Sequence, residues 1–356
     1  MTATDLTYAL GFLLGGILIA LICNLLLLSF SQTLGIRNKN DVVVRWSNQS
    51  KPSLGGVSFF VVFVFSAIAY EAVMNQGSIF HDKHFLGLFG AGCLAFVMGL
   101  ADDAYNTKPL FKLAAQILCG VIMVYTDTVI DLFHIPVVDA IFTLFWVVLI
   151  MNSLNMLDNM DGITGTTVLF ILLSAFIGGI IMHGWKTDLW SLTLIAMIGG
   201  VIGFLRYNIH PSRLFMGDAG SQFIGLFVAF FAVHYLWNAP SEVESPSWSA
   251  VILVLISFTP AAVDTLTVVI NRLKKGQSPM VGGKDHTTHH LVYSGKSDFQ
   301  VWLVFLLVGA ISLGLSLLII WHIRGGVVWP LPIFLIFFIV VFYFLYRNTI
   351  RFPEKK

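Results

Sequence analysis

Asp102 and Asp103 stand side by side in Gly99-Leu-Ala-Asp-Asp-Ala-Tyr-Asn106, at the end of an otherwise apolar run. In a chain that is 57% hydrophobic, two adjacent carboxylates at a bilayer edge stay ionised cheaply only if a cation or a water-filled pocket receives them. A third acid, Asp218, lies between two glycines in Phe215-Met-Gly-Asp-Ala-Gly-Ser221, just before another apolar run. Glycine there lets backbone approach an anion or a metal closely, and amides at a helix start favour phosphate. Hard oxygen ligands with no paired cysteine point to magnesium, with manganese as the alternative, rather than zinc. Magnesium commonly joins one or two carboxylates to substrate phosphates, so a phosphate-bearing ligand is expected. Each acid taken singly is also an ordinary helix cap, but one cap accounts for one carboxylate of the Asp102-Asp103 pair, not both.

Three further clusters carry polar chemistry. Asn152, Asn155, Asp158 and Asp161 recur every three residues in Asn152-Ser-Leu-Asn-Met-Leu-Asp-Asn-Met-Asp-Gly-Ile163. If helical, they form one stripe of amides and acids suited to hydrogen bonding with a base or sugar; the competing reading is a polar seam between helices. Phe215, beside Asp218 in the stretch that begins at Asn208, offers a stacking face for a nucleobase. Positive charge comes from Lys51 in Lys51-Pro-Ser-Leu-Gly-Gly56 and from Lys108 and Lys112 after the acid pair. His286, His289 and His290 fall in Gly283-Lys-Asp-His-Thr-Thr-His-His290, with no cysteine near. Histidines with lysines in a solvated loop suit phosphate or sugar hydroxyls; a plain surface loop is the bland alternative. Asp264, in Pro260-Ala-Ala-Val-Asp-Thr265, reads as a buried acid that either pairs with Arg272 or joins the pocket.

The elements that must position these residues are membrane helices. Charged residues make up only 11% of the chain, and apolar runs of about 20 residues recur from end to end. Eleven spans are predicted, near 8–30, 54–74, 85–101, 110–126, 135–153, 164–183, 188–206, 219–237, 248–270, 300–321 and 327–347. The fold class expected is an all-α polytopic membrane protein, a single integral-membrane domain over 1–356 with a cytoplasmic loop at about 271–299. Eleven spans sort the 20 Lys and Arg residues 17 to 3, with only Lys83, Lys186 and Arg324 on the minor side. The positive-inside rule then puts the amino terminus outside and the carboxy terminus in the cytoplasm. Cys23, Cys93 and Cys119 all fall in apolar runs without a CxxC pair and read as small core residues. The first run lacks a basic leader and is too long for a signal-peptide core, so it reads as a retained helix. No basic block accompanies the aromatics, which argues against a nucleic-acid partner.

In this topology every polar cluster lies on the cytoplasmic side. Alternating-access carriers concentrate ionisable groups near the midplane and between repeats, and no such repeat is visible. A surface site of this kind instead holds a polar cytoplasmic substrate against a lipid headgroup.

Taken together and in this order, the clusters resemble the polyprenyl-phosphate N-acetylhexosamine-1-phosphate transferases, from about Gly35 to Ser294. That family includes undecaprenyl-phosphate N-acetylglucosaminyl-1-phosphate transferase and phospho-N-acetylmuramoyl-pentapeptide transferase. The resemblance implies that the phosphate of a polyprenyl phosphate attacks the sugar-linked phosphate of a UDP-N-acetylhexosamine, releasing UMP with magnesium. It implies catalytic roles for Asp102, Asp103, Asp161 and His289, and metal binding by Asp103 and Asp218. It implies substrate contacts from Lys51, Lys112, Asn155, Asp158, Asn208, Phe215, His286 and His290. The partners implied are the UDP-sugar, undecaprenyl phosphate and membrane lipids, with the active site on the cytoplasmic face of a bacterial inner membrane. A single copy and a homodimer are both open, as are direct transfer and a two-step covalent route.

Three departures from the family pattern stand out. Asp158-Asn159 replaces the usual Asp-Gly, and Asp285-His-Thr-Thr-His-His290 carries one more residue before its His pair than the common His-x-His-His form. The signature of the muramoyl-pentapeptide type, three consecutive His preceded by Pro-Ile, is absent, which favours a simple UDP-N-acetylhexosamine donor. Outside the family, an ion-coupled transporter or lipid flippase predicts activity only across sealed vesicles, and a scaffold that binds UDP-sugar predicts no UMP release.

Overall fold

The computed structural model describes residues 2–31, 52–74, 78–278 and 282–353. Among them the regular structure is helical throughout. The helices are α1 (Ala3–Ser31), α2 (Val57–Met74), α3 (Lys83–Tyr105), α4 (Pro109–Tyr125), α5 (Pro136–Leu157), α6 (Ile163–His183) and α7 (Leu189–Asn208). They continue with α8 (Gly217–Ala232), α9 (Trp248–Ser257), α10 (Thr259–Lys274), α11 (Thr287–Tyr293), α12 (Asp298–Arg324) and α13 (Leu335–Arg351). Only helices satisfy their own backbone without water, so long apolar segments in lipid adopt this state regardless of finer propensity.

Nine helices among the described residues are long and apolar enough to cross a bilayer. Two of the eleven expected spans take a different form. Residues 110–126 become α4, a shorter apolar helix of 17 residues. Residues 248–270 are not one helix: α9 and α10 meet at an angle of 87°. Pro260 in the first turn of α10 cannot donate to the preceding turn, and its ring excludes a continuous helix. Thr259 Oγ1 donates to the carbonyls of Leu255 and Ile256, at 3.1 and 2.9 Å, and so satisfies groups the break would orphan.

The core is organised around α8. Its span is 89% buried, against 22% for that of α1 and 11% for the one ending in α13, so α8 sits inside the bundle while the latter two face outward. It packs on α2, α3, α5 and α6. Phe223, Phe227, Phe230 and Phe231 are fully buried along it, and a helix apolar on all sides belongs in such a position. The chain then loosens into a single π turn over Val233–Trp237.

Close crossings of backbone determine how the helix ends that carry the acid pair and Asp218 meet. A Cβ on Gly56 would lie 2.0 Å from Gly220 Cα, and one on Gly99 would lie 2.4 Å from Ala219 Cα. Membrane helices approach this closely only through such small residues. Before α2 the chain runs beside the start of α8: Phe215 donates to the Pro52 carbonyl, Gly55 to that of Phe215 and Gly56 to that of Met216, each at 2.9 Å.

The ends of the helices form two polar layers. The carboxy ends of α3, α5 and α7 meet the amino ends of α4, α6 and α8 in one layer; there His210 also reaches Asp298, at the start of α12, at 3.9 Å. Asp5 near the amino terminus accepts from Thr187 between α6 and α7, in the opposite layer that also holds Lys186.

The glycine crossing generates a direct test. Gly99→Ala must push α3 away from α8 and should destabilise the protein by roughly 1–3 kcal/mol. Gly90, in the same helix but with nothing within 4 Å, should accept alanine with unchanged or slightly raised stability. Thermal unfolding of the two variants in detergent, side by side, checks the difference.

Candidate active site

The acid pair sits on the last turn of α3, whose end is set by Asn106 in the left-handed region at φ 51°. Asp102 Oδ1 accepts from the Thr107 backbone and hydroxyl, at 2.9 and 2.5 Å, which locks the turn into α4. Its other oxygen accepts from Lys112 Nζ at 3.2 Å. The same ammonium donates to Asp218 Oδ1 at 2.6 Å and to Asn155 Oδ1 at 3.1 Å. One half-buried cation on α4 therefore ties together the ends of α3, α5 and α8. Asn155 Nδ2 completes the ring with 2.5 and 2.8 Å contacts to Asp218 Oδ1 and Ser221 Oγ.

Asp103 takes a different position from its neighbour. Its Oδ2 accepts from the Ala219 backbone at 2.9 Å, so it caps the start of α8 from another helix. Gly217, at φ 76°, makes the turn that brings this amide forward; a Cβ there would meet Ser53 O at 1.9 Å.

One helical turn deeper lies a second set. Gln116 and Gln222 follow Lys112 and Asp218 by four residues, and Asn152 precedes Asn155 by three, so they share faces with them. Gln116 Nε2 donates to Gln222 Oε1 at 2.9 Å, and Asn152 Nδ2 to Gln116 Oε1 at 2.7 Å. Sequence reading missed Gln116, Gln222 and Thr107 as parts of the site. A lone glutamine four residues from a lysine or aspartate within an apolar run is the signal that could have found the first two.

The expected stripe over 152–161 is cut short. α5 ends at Leu157; Asp158 is its carboxy cap, and Gly162 at φ 77° turns the chain into α6. Asp161 therefore does not share the face of Asn155. Its oxygens accept from the Ser212 hydroxyl and backbone, at 2.7 and 3.0 Å, and meet His210 Nδ1 at 3.2 Å. Asn208 accepts from the Gly162 backbone at 3.0 Å and donates to the Leu214 carbonyl at 2.9 Å. Both residues thus brace the loop that carries Phe215 and Asp218, and these bonds are to protein. Phe215 remains half-exposed beside the acids. Lys51 lies outside the described residues.

The histidine segment is not the solvated loop expected from its composition. His286, His289 and His290 are all buried, in and before α11. Asp264 accepts from Thr287 N and Oγ1 at 2.9 and 2.6 Å and meets His286 Nδ1 at 2.8 Å. Arg272 is not its partner; it makes a two-pronged pair with Asp285, at 2.8 and 2.7 Å. Burial alone would raise the Asp285 carboxyl, but Arg272 outweighs it and holds the acid below its usual range. His290 Nδ1 meets the Phe352 carbonyl at 2.6 Å, facing α13. His289 packs edge-on against His286, and burial, reinforced by His286, pushes it down to about 3. Burial thus favours its neutral form.

The donor set fits a hard divalent cation. Asp158 is pushed up to about 7, first by loss of water contact and then by Asp218 and Asp103. The pocket therefore carries more carboxylate than Lys112 neutralises, and the Asp218 side chain, 29% exposed, is within reach of an added ion. No three His, Cys, Asp or Glu side chains among the described residues close into a complete cage. An ion held by one or two carboxylates and completed by substrate oxygens suits that arrangement.

Comparison with known proteins follows the same residues. Residues 85–236 match the family described as glycosyl transferase family 4, and bear out the resemblance drawn from the motifs. Asp102, Asp103, Lys112, Asn155, Asp158, Asp161, Asn208, Phe215 and Asp218 all lie within that match, and the histidine segment lies beyond it. The chain is 27% identical over 301 residues to a probable undecaprenyl-phosphate N-acetylglucosaminyl 1-phosphate transferase of Bacillus subtilis, covering 82% of this chain and 78% of that protein. It is 26% identical over 296 residues to a decaprenyl-phosphate N-acetylglucosaminephosphotransferase of Mycolicibacterium smegmatis, covering 75% and 71%. It is also 26% identical over 315 residues to a phospho-N-acetylmuramoyl-pentapeptide-transferase of Streptococcus suis, covering 79% and 90%.

The raised Asp158 carboxyl makes stability depend on pH. Between its ordinary 3.8 and about 7 the folded state holds a proton that the unfolded chain has lost, so stability declines as pH rises through that window. Melting in detergent with a chelator present should show this decline between pH 5 and about 7. Asp158→Asn should flatten it.

Proposed function

We propose that this membrane protein transfers an N-acetylhexosamine-1-phosphate, GlcNAc-1-phosphate foremost, from a UDP-sugar to undecaprenyl phosphate, releasing UMP. The observation that carries this reading is Lys112, whose ammonium is shared by Asp102, Asn155 and Asp218 from three other helices at one polar end of the bundle. The names of the relatives, which specify polyprenyl-phosphate sugar-phosphate transfer, support it. The lysine distribution supports a cytoplasmic site in a bacterial inner membrane, with the product starting a cell-surface glycan.

In the reaction, an oxygen of the lipid phosphate forms a bond to the sugar-linked phosphorus, and the bond from that phosphorus to the UMP oxygen breaks. Magnesium held by Asp218, with Asp103 beside it, would supply charge neutralisation on the diphosphate and the departing UMP. Lys112 adds a fixed positive charge at the same place, oriented by Asp102 so that no reorganisation is needed when charge shifts. The acid pair accepts or holds the proton of the lipid phosphate. Asn155 and Asp158 line the donor side, Phe215 stacks on the uracil, and neutral His289 donates a hydrogen bond to a phosphate oxygen. Asp103 also has a structural duty, because the amide it caps belongs to the residue after Asp218.

A second donor, the muramoyl pentapeptide, stays in view because the chain covers 90% of a relative named for it. Purified protein in detergent, offered magnesium, undecaprenyl phosphate and each UDP-sugar separately, should release UMP with UDP-GlcNAc or a close N-acetylhexosamine. Product mass identifies the sugar, and reaction only with the pentapeptide donor would reverse the assignment. Turnover in micelles also separates a transferase from a gradient-driven carrier. Asp102→Asn and Asp218→Asn should each lower kcat at least about 100-fold in folded protein. Unchanged turnover in Asp218→Asn would remove its metal role.

A further inference from the structure

The two unusual segments of this sequence touch each other. Asn159 follows Asp158 where the related motif has glycine, and Thr288 precedes His289 in the lengthened histidine segment. Across 129 residues of chain, Thr288 Oγ1 donates to Asn159 Oδ1 at 2.6 Å. Both partners are held from behind. Asn159 Nδ2 donates to the Met156 carbonyl at 3.0 Å, which fixes the amide against the last turn of α5. Thr288 stands in the first turn of α11, whose preceding residues are anchored by buried Asp264 through Thr287 and His286, and by the Arg272–Asp285 pair. Thr288 is fully buried, so its hydroxyl has no access to bulk water in exchange for this bond.

We infer that the Thr288–Asn159 hydrogen bond is a clasp that positions the histidine segment against the Asp158 loop, making both side chains positioning residues for the transfer reaction. Asp158 and His289 are each one residue away from the bonded pair. The chemistry follows from that adjacency: groups on α5 and on α11 must meet the same diphosphate, and no peptide bond connects them. A glycine at 159 offers no side chain to hold α11, whereas the asparagine carbonyl holds it at a defined distance. The inference rests on the transferase reading for its effect on turnover, and on the clasp alone for its effect on local order.

The test is a mutant cycle in the full-length protein in detergent, using Thr288→Val, Asn159→Gly and the double variant, with Thr288→Ser as the conservative control. Thr288→Val and Asn159→Gly should each lower kcat roughly tenfold, and the double variant should fall no further than either single change. Thr288→Ser should recover turnover to within about twofold, because it keeps the hydroxyl. Hydrogen exchange gives a second readout that needs no turnover: peptides covering 158–162 should exchange faster in Thr288→Val, with the middle of α5 unchanged. Multiplying effects in the double variant, or unchanged exchange over 158–162 in Thr288→Val, overturns the clasp. Wild-type protein inert toward every donor would defeat the transferase reading, and the exchange measurement would still decide the clasp.

Discussion

The site depends on one ammonium group placed among carboxylates where water is scarce. Lys112 lies at the edge of the apolar layer, and its charge is tolerable there because Asp102 and Asp218 sit at 3.2 and 2.6 Å. The converse holds as well: the cation offsets part of the cost of placing two acids there. Since the three groups lie on α4, α3 and α8, the electrostatic requirement is also a constraint on how those helices are arranged. Asn155 extends it to α5.

This arrangement requires backbones to approach closely. An ammonium reaches only a few ångströms, and the starts and ends of four helices must fall within that range. The glycines at 56, 99, 217 and 220 make it feasible, since a Cβ at any of them would overlap neighbouring backbone. The cap that Asp103 places on α8 shows the same economy: a carboxylate that steadies one helix start also raises the negative charge felt by Asp158. Packing and the charge of the candidate site are carried by the same residues.

Around this centre lies a supporting shell of buried polar bonds. Asp161 and Asn208 brace the loop leading to Asp218, and Asp264, Arg272 and Asp285 fix the approach of α11. These contacts are expensive to leave unsatisfied in an apolar setting, so each one specifies a single loop conformation.

Much of this was legible in the residues alone. Long apolar runs must be helical in lipid, so the all-helical membrane class followed from composition. Asp102, Asp103, Lys112, Asn155 and Asp218 could be singled out because polar groups at a membrane edge carry a cost that needs a reason. What local pattern did not contain was which helix meets which. That Asp103 caps α8, that Asp161 and Asn208 hold a loop, that the histidines are buried and that Asp264 binds Thr287 rather than Arg272 all depend on contacts between segments far apart in the chain. The end of α5 at Leu157 was likewise decided by a turn whose partner, Asn208, lies on another helix, whereas the right-angled break at Pro260 follows from a proline inside an apolar run. A one-dimensional pattern reports the cost of burying a group, whereas only the packed bundle supplies the partner that offsets it.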